Sequence, residues 1–233
     1  MDRGLLTLGI ETSGFGGSVA LVQSGKVLVQ RDLDPTGRRH ARTLVPETRS
    51  LFAGAGKAVR DLDLVAVSIG PGSFTGLRVG VVCAKTLAWA AGVKLIAVDT
   101  YLAIAHMAPT EVECVQVVGD GQRGDLYVGD YRRDDRGDWV LHGVIAIRPA
   151  EDWLAELKPS DVVTGPGLER HAEAAAARCR VLPRDLWMPR AATIALLGEQ
   201  RLARTGTSDD IWSLEPFYLR KSGAEEQADT RSK

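Results

Sequence analysis

The sequence is short of several things. Its 233 residues include three cysteines, Cys83, Cys114 and Cys179, far apart and without Cys-x-x-Cys spacing. That excludes a disulfide scaffold or zinc ribbon and fits reduced thiols in a cytoplasmic protein. None of the four histidines, His40, His106, His142 and His171, is spaced as His-x-x-x-His. A metal pair on one helix face is therefore excluded. There is no Gly-x-Ser-x-Gly elbow for a hydrolytic serine, and no Gly-x-x-x-x-Gly-Lys-Ser/Thr phosphate loop. No run of about 18 apolar residues escapes charges or breakers, so no membrane helix is expected. MDRGLLTLGIETS lacks the long apolar core of a signal peptide. Charge of one sign is not in excess either. The net value of -1 sets up no global field toward nucleic acid or anionic lipid. Work on RNA would need a partner to supply most phosphate contacts.

What is present suits a packed α/β protein. Apolar residues make up 45% and charged residues 25%, enough for a full core in one large domain or two lobes. Leu5–Glu11, Gly17–Gln23 and Val27–Leu33 read as an antiparallel meander joined by glycine turns. Residues 40–54 place Leu44, Val45, Leu51 and Phe52 on one helical face, with Pro46 expected to kink the helix or leave a short first turn. Leu64–Ile69 and Leu95–Val98 are continuous apolar strands, buried on both faces. Between them VSIGPGSFTGLRVGV leads into a helix to about Ala91, and Tyr101–Met107 is a short helix.

The second half repeats this order. Cys114–Gly119, Asp125–Tyr131 and Trp139–Ile147 read as strands, Pro149–Leu157 as a helix, Asp161–Thr164 as a strand, with a helix through HAEAAAAR. IETSGFGGSVALV at 10–22 aligns with VGDGQRGDLYVGD at 118–130, and SIGPG at 68–72 with VTGPG at 163–167. A duplicated strand-rich lobe of this kind resembles the actin, hexokinase and Hsp70 (ribonuclease H-like) architecture: α/β, two lobes, each a mixed sheet with flanking helices. The expected division is 1–108, 109–220 including a final helix at 191–205, and a disordered polar tail at 221–233. Glu11 and Asp120 would then face each other across a cleft.

Four stretches carry a family resemblance: IETS at 10–13, IGPGSFTGLRVG at 69–80, DGQRGDLY at 120–127 and EPFYLRKSGAEE at 215–226. Together they resemble the TsaB (YeaZ) family over nearly the whole chain. The resemblance implies a non-catalytic accessory subunit in the synthesis of threonylcarbamoyladenosine in transfer RNA. The catalyst would be a TsaD-type partner of the same fold, joined by a TsaE-type ATPase, with tRNA met only through the complex. Older labels for the family speak of a glycoprotease, and no nucleophile–base pair supports that here. Departures from the family pattern fall at the turns. Glu11 replaces an Asp, which moves its carboxylate by roughly 1.5 Å. Asp120-Gly121-Gln122 replaces Asp-Ala-Arg, and His40-Ala41-Arg42 replaces His-Ser-Glu.

Candidate site residues follow in two groups. Gly76, Gly80 and Ala84 recur every four residues and leave one helix face bare. Gly in a helix costs about 1 kcal/mol relative to Ala, so another backbone is expected to approach. That neighbour is either the chain's own helix at 40–54 or a partner subunit, with self-pairing when the partner is absent. The expected interface is His40, Arg42, Leu44, Val45, Ser73, Phe74, Gly76, Leu77, Gly80 and Ala84. The second group is a vestigial nucleotide cleft: Glu11, Thr12, Ser13, Gly70, Gly72, Asp120 and Arg123. Its acids either bind metal or cap their own turns. No metal and no cofactor is expected, beyond weak ATP and magnesium at a subunit boundary. An ATP-dependent phosphotransferase of the same fold and a homodimeric scaffold are the alternatives.

Overall fold

The computed structural model describes residues 4–14, 16–33 and 40–220. The side chains of His40 and Ala41, and the tail expected to be disordered, lie outside the described residues. The first sheet contains β1 (Leu6–Glu11), β2 (Ser18–Gln23), β3 (Lys26–Asp32), β4 (Leu64–Ser68) and β5 (Lys94–Val98), in the order β3-β2-β1-β4-β5. The first three form an antiparallel meander, and β4 and β5 run parallel to β1. The second sheet contains β6 (Cys114–Gln122), β7 (Asp125–Arg133), β8 (Trp139–Leu141), β9 (Ala146–Pro149), β10 (Val162–Thr164) and β11 (Arg180–Val181). Its order is β11-β10-β6-β7-β8, with β9 also on β7. Read from the other edge, this is the first sheet again: a meander about the leading strand, then two parallel strands. The fold is the duplicated actin-like, ribonuclease H-like α/β fold.

Trp139–Ile147, expected as one strand, is two. Gly143 takes a positive φ of 85° between them, and β8 and β9 pair with opposite ends of β7. A left-handed residue breaks strand geometry, and glycine adopts it without steric cost. Helix α1 (His40–Gly54) runs through Pro46 as a single element. Pro46 and Arg42 both lie on its exposed side, where water can replace the bond that proline cannot donate.

The remaining helices are α2 (Phe74–Ala91), α3 (Thr100–Ala105), α4 (Ala150–Glu156), α5 (Leu168–Ala176) and α6 (Ala191–Thr205). Strand alternation assigns them to faces. Leu6, Leu8 and Ile10 of β1 join Leu44, Leu51 and Phe52 of α1 and Val81, Ala84 and Ala88 of α2 in one core. On the opposite face β1 presents Thr7 and Gly9, and α6 lies there. The Thr7 hydroxyl donates to Glu199 Oε1 (2.8 Å), and Ala191 N–H donates to Ser18 Oγ (2.9 Å). A Cβ on Gly9 would strike the Ala191 carbonyl. This corrects the grouping of the final helix with the second half: α6 covers the first sheet. The small or polar residues of β1 leave room for it, and an exclusively apolar reading of that strand missed them. The second sheet buries one face with α3 around Tyr101, Tyr131 and Trp139, and the other with α4 and α5 around Trp153 and Leu168.

Candidate functional site

The glycine turn quoted above closes on the chain itself. Ser73 caps α2, its side chain accepting from Gly76 N–H (3.3 Å); such caps stabilise a helix by about 1 kcal/mol. Ser73 N–H donates to the Ser13 carbonyl (2.6 Å). The Thr12 hydroxyl donates to the Gly76 carbonyl (2.8 Å). A Cβ on Gly76 would land on the Thr12 carbonyl oxygen, and one on Gly80 on the Thr12 hydroxyl. The bare face therefore meets the end of β1. It meets neither α1 nor a partner, which corrects both expectations. Gly76, Leu77, Gly80 and Ala84 are buried, as is Leu44 on α1, so none of the five belongs to an exposed interface. The i, i+4 glycine signal was real, but a strand end satisfies it as well as a helix does.

Of the other expected interface residues, Arg42 and Val45 are exposed, while Ser73 and half-buried Phe74 sit at the mouth of a cleft. The His40 side chain lies outside the described residues. Sequence reasoning missed the outer ridge of α2. Val82 is 62% exposed and Trp89 63%, with Thr86 exposed between them, and Val45 on α1 is 63% exposed. A helix apolar nearly all round suggested burial on both sides; in the described chain only one side is covered.

The cleft lies between the two halves and measures about 400 Å³. Ser13, Gly72 and Ser73 line one wall, Asp120, Gln122 and Arg170 the other, and Tyr101 the floor. Two expected cleft residues are placed elsewhere. Glu11 is fully buried behind the wall. Its Oε1 accepts from Ser13 N–H (2.6 Å) and the Ser68 hydroxyl (3.2 Å), and Oε2 has no partner among the described residues. Burial raises its pKa to about 7, against the lowering effect of the Ser13 and Ser68 bonds. Thr12 is buried under α2. Gly70, with φ 117°, packs against the Phe217 carbonyl. Arg123 takes a positive φ of 55° in the second turn. Asp120 does reach the cleft, where it accepts from Gln122 N–H (2.8 Å) and lies 3.7 Å from Arg170.

The two hairpin acids therefore do not face each other. One carboxyl is withdrawn and bound to its own turn, and the other is held by a backbone amide and an arginine. No group of three or more His, Cys, Asp or Glu side chains is arranged for a metal among the described residues. The donor set does not fit a metal–nucleotide: the fold would need two free carboxylates converging on the cation, and it presents one.

A segment after α6 crosses from one half to the other. Phe217 N–H donates to the Ile69 carbonyl (2.7 Å), and the Tyr218 ring lies 4.6 Å from Phe74. Arg78 sits over Phe74 and donates to the Tyr218 hydroxyl (3.1 Å). Arg220 ion-pairs with Asp125 at the cleft. The aromatic pair in EPFYLR was the signal available in sequence for this strap.

Comparison with known proteins agrees with this architecture. The model of the TsaD family, tRNA N6-adenosine threonylcarbamoyltransferase, matches residues 34–228. The chain is 28% identical over 223 residues to the tRNA threonylcarbamoyladenosine biosynthesis protein TsaB of Escherichia coli, covering 93% of this chain and 95% of that one. It is 28% identical over 227 residues to TsaB of Bacillus subtilis, covering 94% and 95%. The structure of YeaZ from Pseudomonas aeruginosa superposes with a TM-score of 0.76 at 28% identity, covering 92% of this chain and all of that one. The chain belongs to the family that the TsaD model describes, and its near full-length relatives carry the names TsaB and YeaZ.

Proposed function

We propose that this chain works in the biosynthesis of threonylcarbamoyladenosine in tRNA as a non-catalytic subunit that docks a TsaD-type catalytic partner through the outward face of α1 and α2. The observation that carries the reading is the apolar row on that face. Val45, Val82 and Trp89 are each more than 60% exposed, on helices whose other sides hold the first sheet. Large exposed apolar side chains grouped on one face mark an interaction surface. The cleft supports a non-catalytic role, because it offers neither a carboxylate pair nor a metal-binding cluster among the described residues. A partner of the same fold presents equivalent helices, so the two subunits meet in a pseudo-twofold arrangement. In this reading a TsaE-type ATPase joins the pair, nucleotide binds no more than weakly at a subunit boundary, and free chains self-pair through the same face. Transfer RNA is met only through the complex, in the cytoplasm. Among the described residues no helix is long and apolar enough to cross a membrane.

The test is light scattering after size exclusion, on the chain alone and mixed with the TsaD-type subunit of its own organism, with and without ATP. A stable heteromer is expected, and Trp89→Ala or Val82→Asp should weaken it by about 30-fold or more, the scale of an interface hot spot. Absence of a heteromer, with tight magnesium-dependent ATP binding by the lone chain, would replace this reading with the phosphotransferase one.

A further inference from the structure

The docking face has a charge as well as an apolar row, and the inference drawn from it rests on the docking reading above. Between Phe74 and Ala91, α2 contains no Asp or Glu. Helix α1 has one, Glu47, which lies 3.7 Å from Arg31 of β3. The two helices carry Arg42, Arg49, Arg78 and Lys85, four cations against one carboxylate, in a chain of net charge -1. The carboxylates of the chain are therefore segregated away from these helices.

Contacts fix which way the charges point. Glu47 and Gly54 lie on the flank of α1 beside Arg31. Val45 and Arg49, on the opposite flank, lean toward α2. On α2, Lys85 donates to the carbonyls of Trp212 (3.2 Å) and Leu214 (3.1 Å), and Arg78 to the Tyr218 hydroxyl. That flank faces the strap. Val82, Thr86 and Trp89 project between the strap and α1. Lys85 is near enough to Asp210 to act on its carboxyl, so its charge is partly balanced. Arg78 has only aromatic and hydroxyl partners. Arg42 and Arg49 are exposed, with no carboxylate partner among the described residues. Three arginines thus surround the apolar row without a counter-charge.

We propose that this face selects a protein whose matching surface carries carboxylates around an apolar stripe, and that the same arginines hold off a second copy of this chain. In a twofold self-pair the same patch appears on both sides. Arginines would then meet arginines in any register, because neither copy supplies a free carboxylate. Like charges brought together at an interface raise the free energy of the wrong pair. A nucleic acid fits less well. The centre of the face is apolar rather than cationic, and it presents one aromatic ring where stacking along a strand uses several.

The experiment follows self-association of the full chain, and its binding to the TsaD-type subunit, at about 50 and 500 mM salt, where surface charge is little and strongly screened. The heteromer is expected to weaken about tenfold or more with salt, and self-pairing to be weakest at low salt and to grow as salt is added. Arg42→Glu with Arg49→Glu should weaken the heteromer about 30-fold at low salt. The same double variant should pair with the unmodified chain more tightly than either pairs with itself. If the double variant binds the partner unchanged while Trp89→Ala still breaks the complex, docking stands and the charge inference fails. If neither change matters, the docking reading itself fails. Tight binding of a single-stranded RNA oligonucleotide by the lone chain, lost in the double variant, would make the face a nucleic-acid surface and overturn the proposal.

Discussion

The turn after β1 and the turn after β6 hold the same place in two sheets of the same strand order, yet they have opposite characters. The first is locked. Glu11 is buried and bonded to Ser13 and Ser68, Thr12 holds the first turn of α2, and the Ser13 carbonyl accepts from Ser73. The second is open. Asp120 is half exposed, Gln122 and Arg123 take positive φ values of 63° and 55°, and a Cβ on Gly124 would meet nothing within 4 Å. Duplication supplied two similar turns, and packing made one a structural clamp and left the other a cleft wall. The difference follows from what lies behind each. An 18-residue helix with a glycine face presses on the first turn, whereas the shorter α5 starts beside the second without entering it.

The hardest way to break the comparison is to fill the clamp. Gly80→Leu, considered from sequence as a probe of subunit pairing, would instead drive a side chain into Thr12, whose hydroxyl occupies that space. Overpacking a rigid core costs about 1–3 kcal/mol and more where backbone must move. Gly76→Ala is worse placed, because the obstacle is the Thr12 carbonyl itself. Both variants should lose about 3 kcal/mol or more in urea unfolding, whereas Gly124→Ala in the open turn should lose about 1 kcal/mol, from its φ alone. Equal losses at the two turns would remove the contrast.

The second test uses the acid. Glu11 has a pKa raised from 4.5 to about 7 by burial. Below pH 4.5 the group is protonated folded and unfolded, and stability is at its full value. Between pH 4.5 and 7 the unfolded chain ionises while the folded chain keeps its proton, so stability falls as pH rises. Above pH 7 the loss levels off at about 3 kcal/mol. Glu11→Gln keeps an acceptor for Ser13 N–H and cannot ionise. It should match the parent near pH 4 and exceed it by about 2–3 kcal/mol at pH 8. Asp120→Asn, at the exposed counterpart, should change stability by no more than about 0.5 kcal/mol at either pH. A flat difference between Glu11→Gln and its parent across pH 4–8 would mean that the carboxyl is not confined as described.

Much of this contrast was legible before any coordinates. Strand order, the repeat and both acidic turns follow from alternation, glycine punctuation and the matching strings at 10–22 and 118–130. The cap at Ser73 was readable from its position ahead of Phe74. What could not be read was which surface met which. Glycines spaced by four announce a close neighbour without naming it, and Thr12 lies 64 residues before Gly76. The place of α6 depended on Thr7 and Gly9 offering it a face of β1. The strap depended on Tyr218 finding Phe74 across 144 intervening positions. Such pairings are set by the assembled fold and leave little local signature. The two hairpin acids were predicted to oppose each other because topology places them alike, but topology does not fix the direction of a side chain.

The smallest effect sharpens the comparison from the open side. Gln122 holds φ at 63° without a Cβ-free residue to ease it, and a left-handed conformation costs an L-residue about 1 kcal/mol relative to glycine. Gln122→Gly removes that strain but gives the unfolded chain more freedom to lose, which returns part of the gain. The net should be a stabilisation of about 0.5 kcal/mol or less, visible as a shift of a degree or so in thermal unfolding. No side chain is packed on the turn to amplify it. The corresponding change in the clamp, Thr12→Gly, removes the hydroxyl that donates to the Gly76 carbonyl and leaves a buried space under α2, so it should destabilise by about 2–3 kcal/mol. If both changes move stability in the same direction and by similar amounts, the second turn is as tightly packed as the first. The cleft would then be walled by two rigid turns, and its openness would have to come from the relative placement of the two sheets.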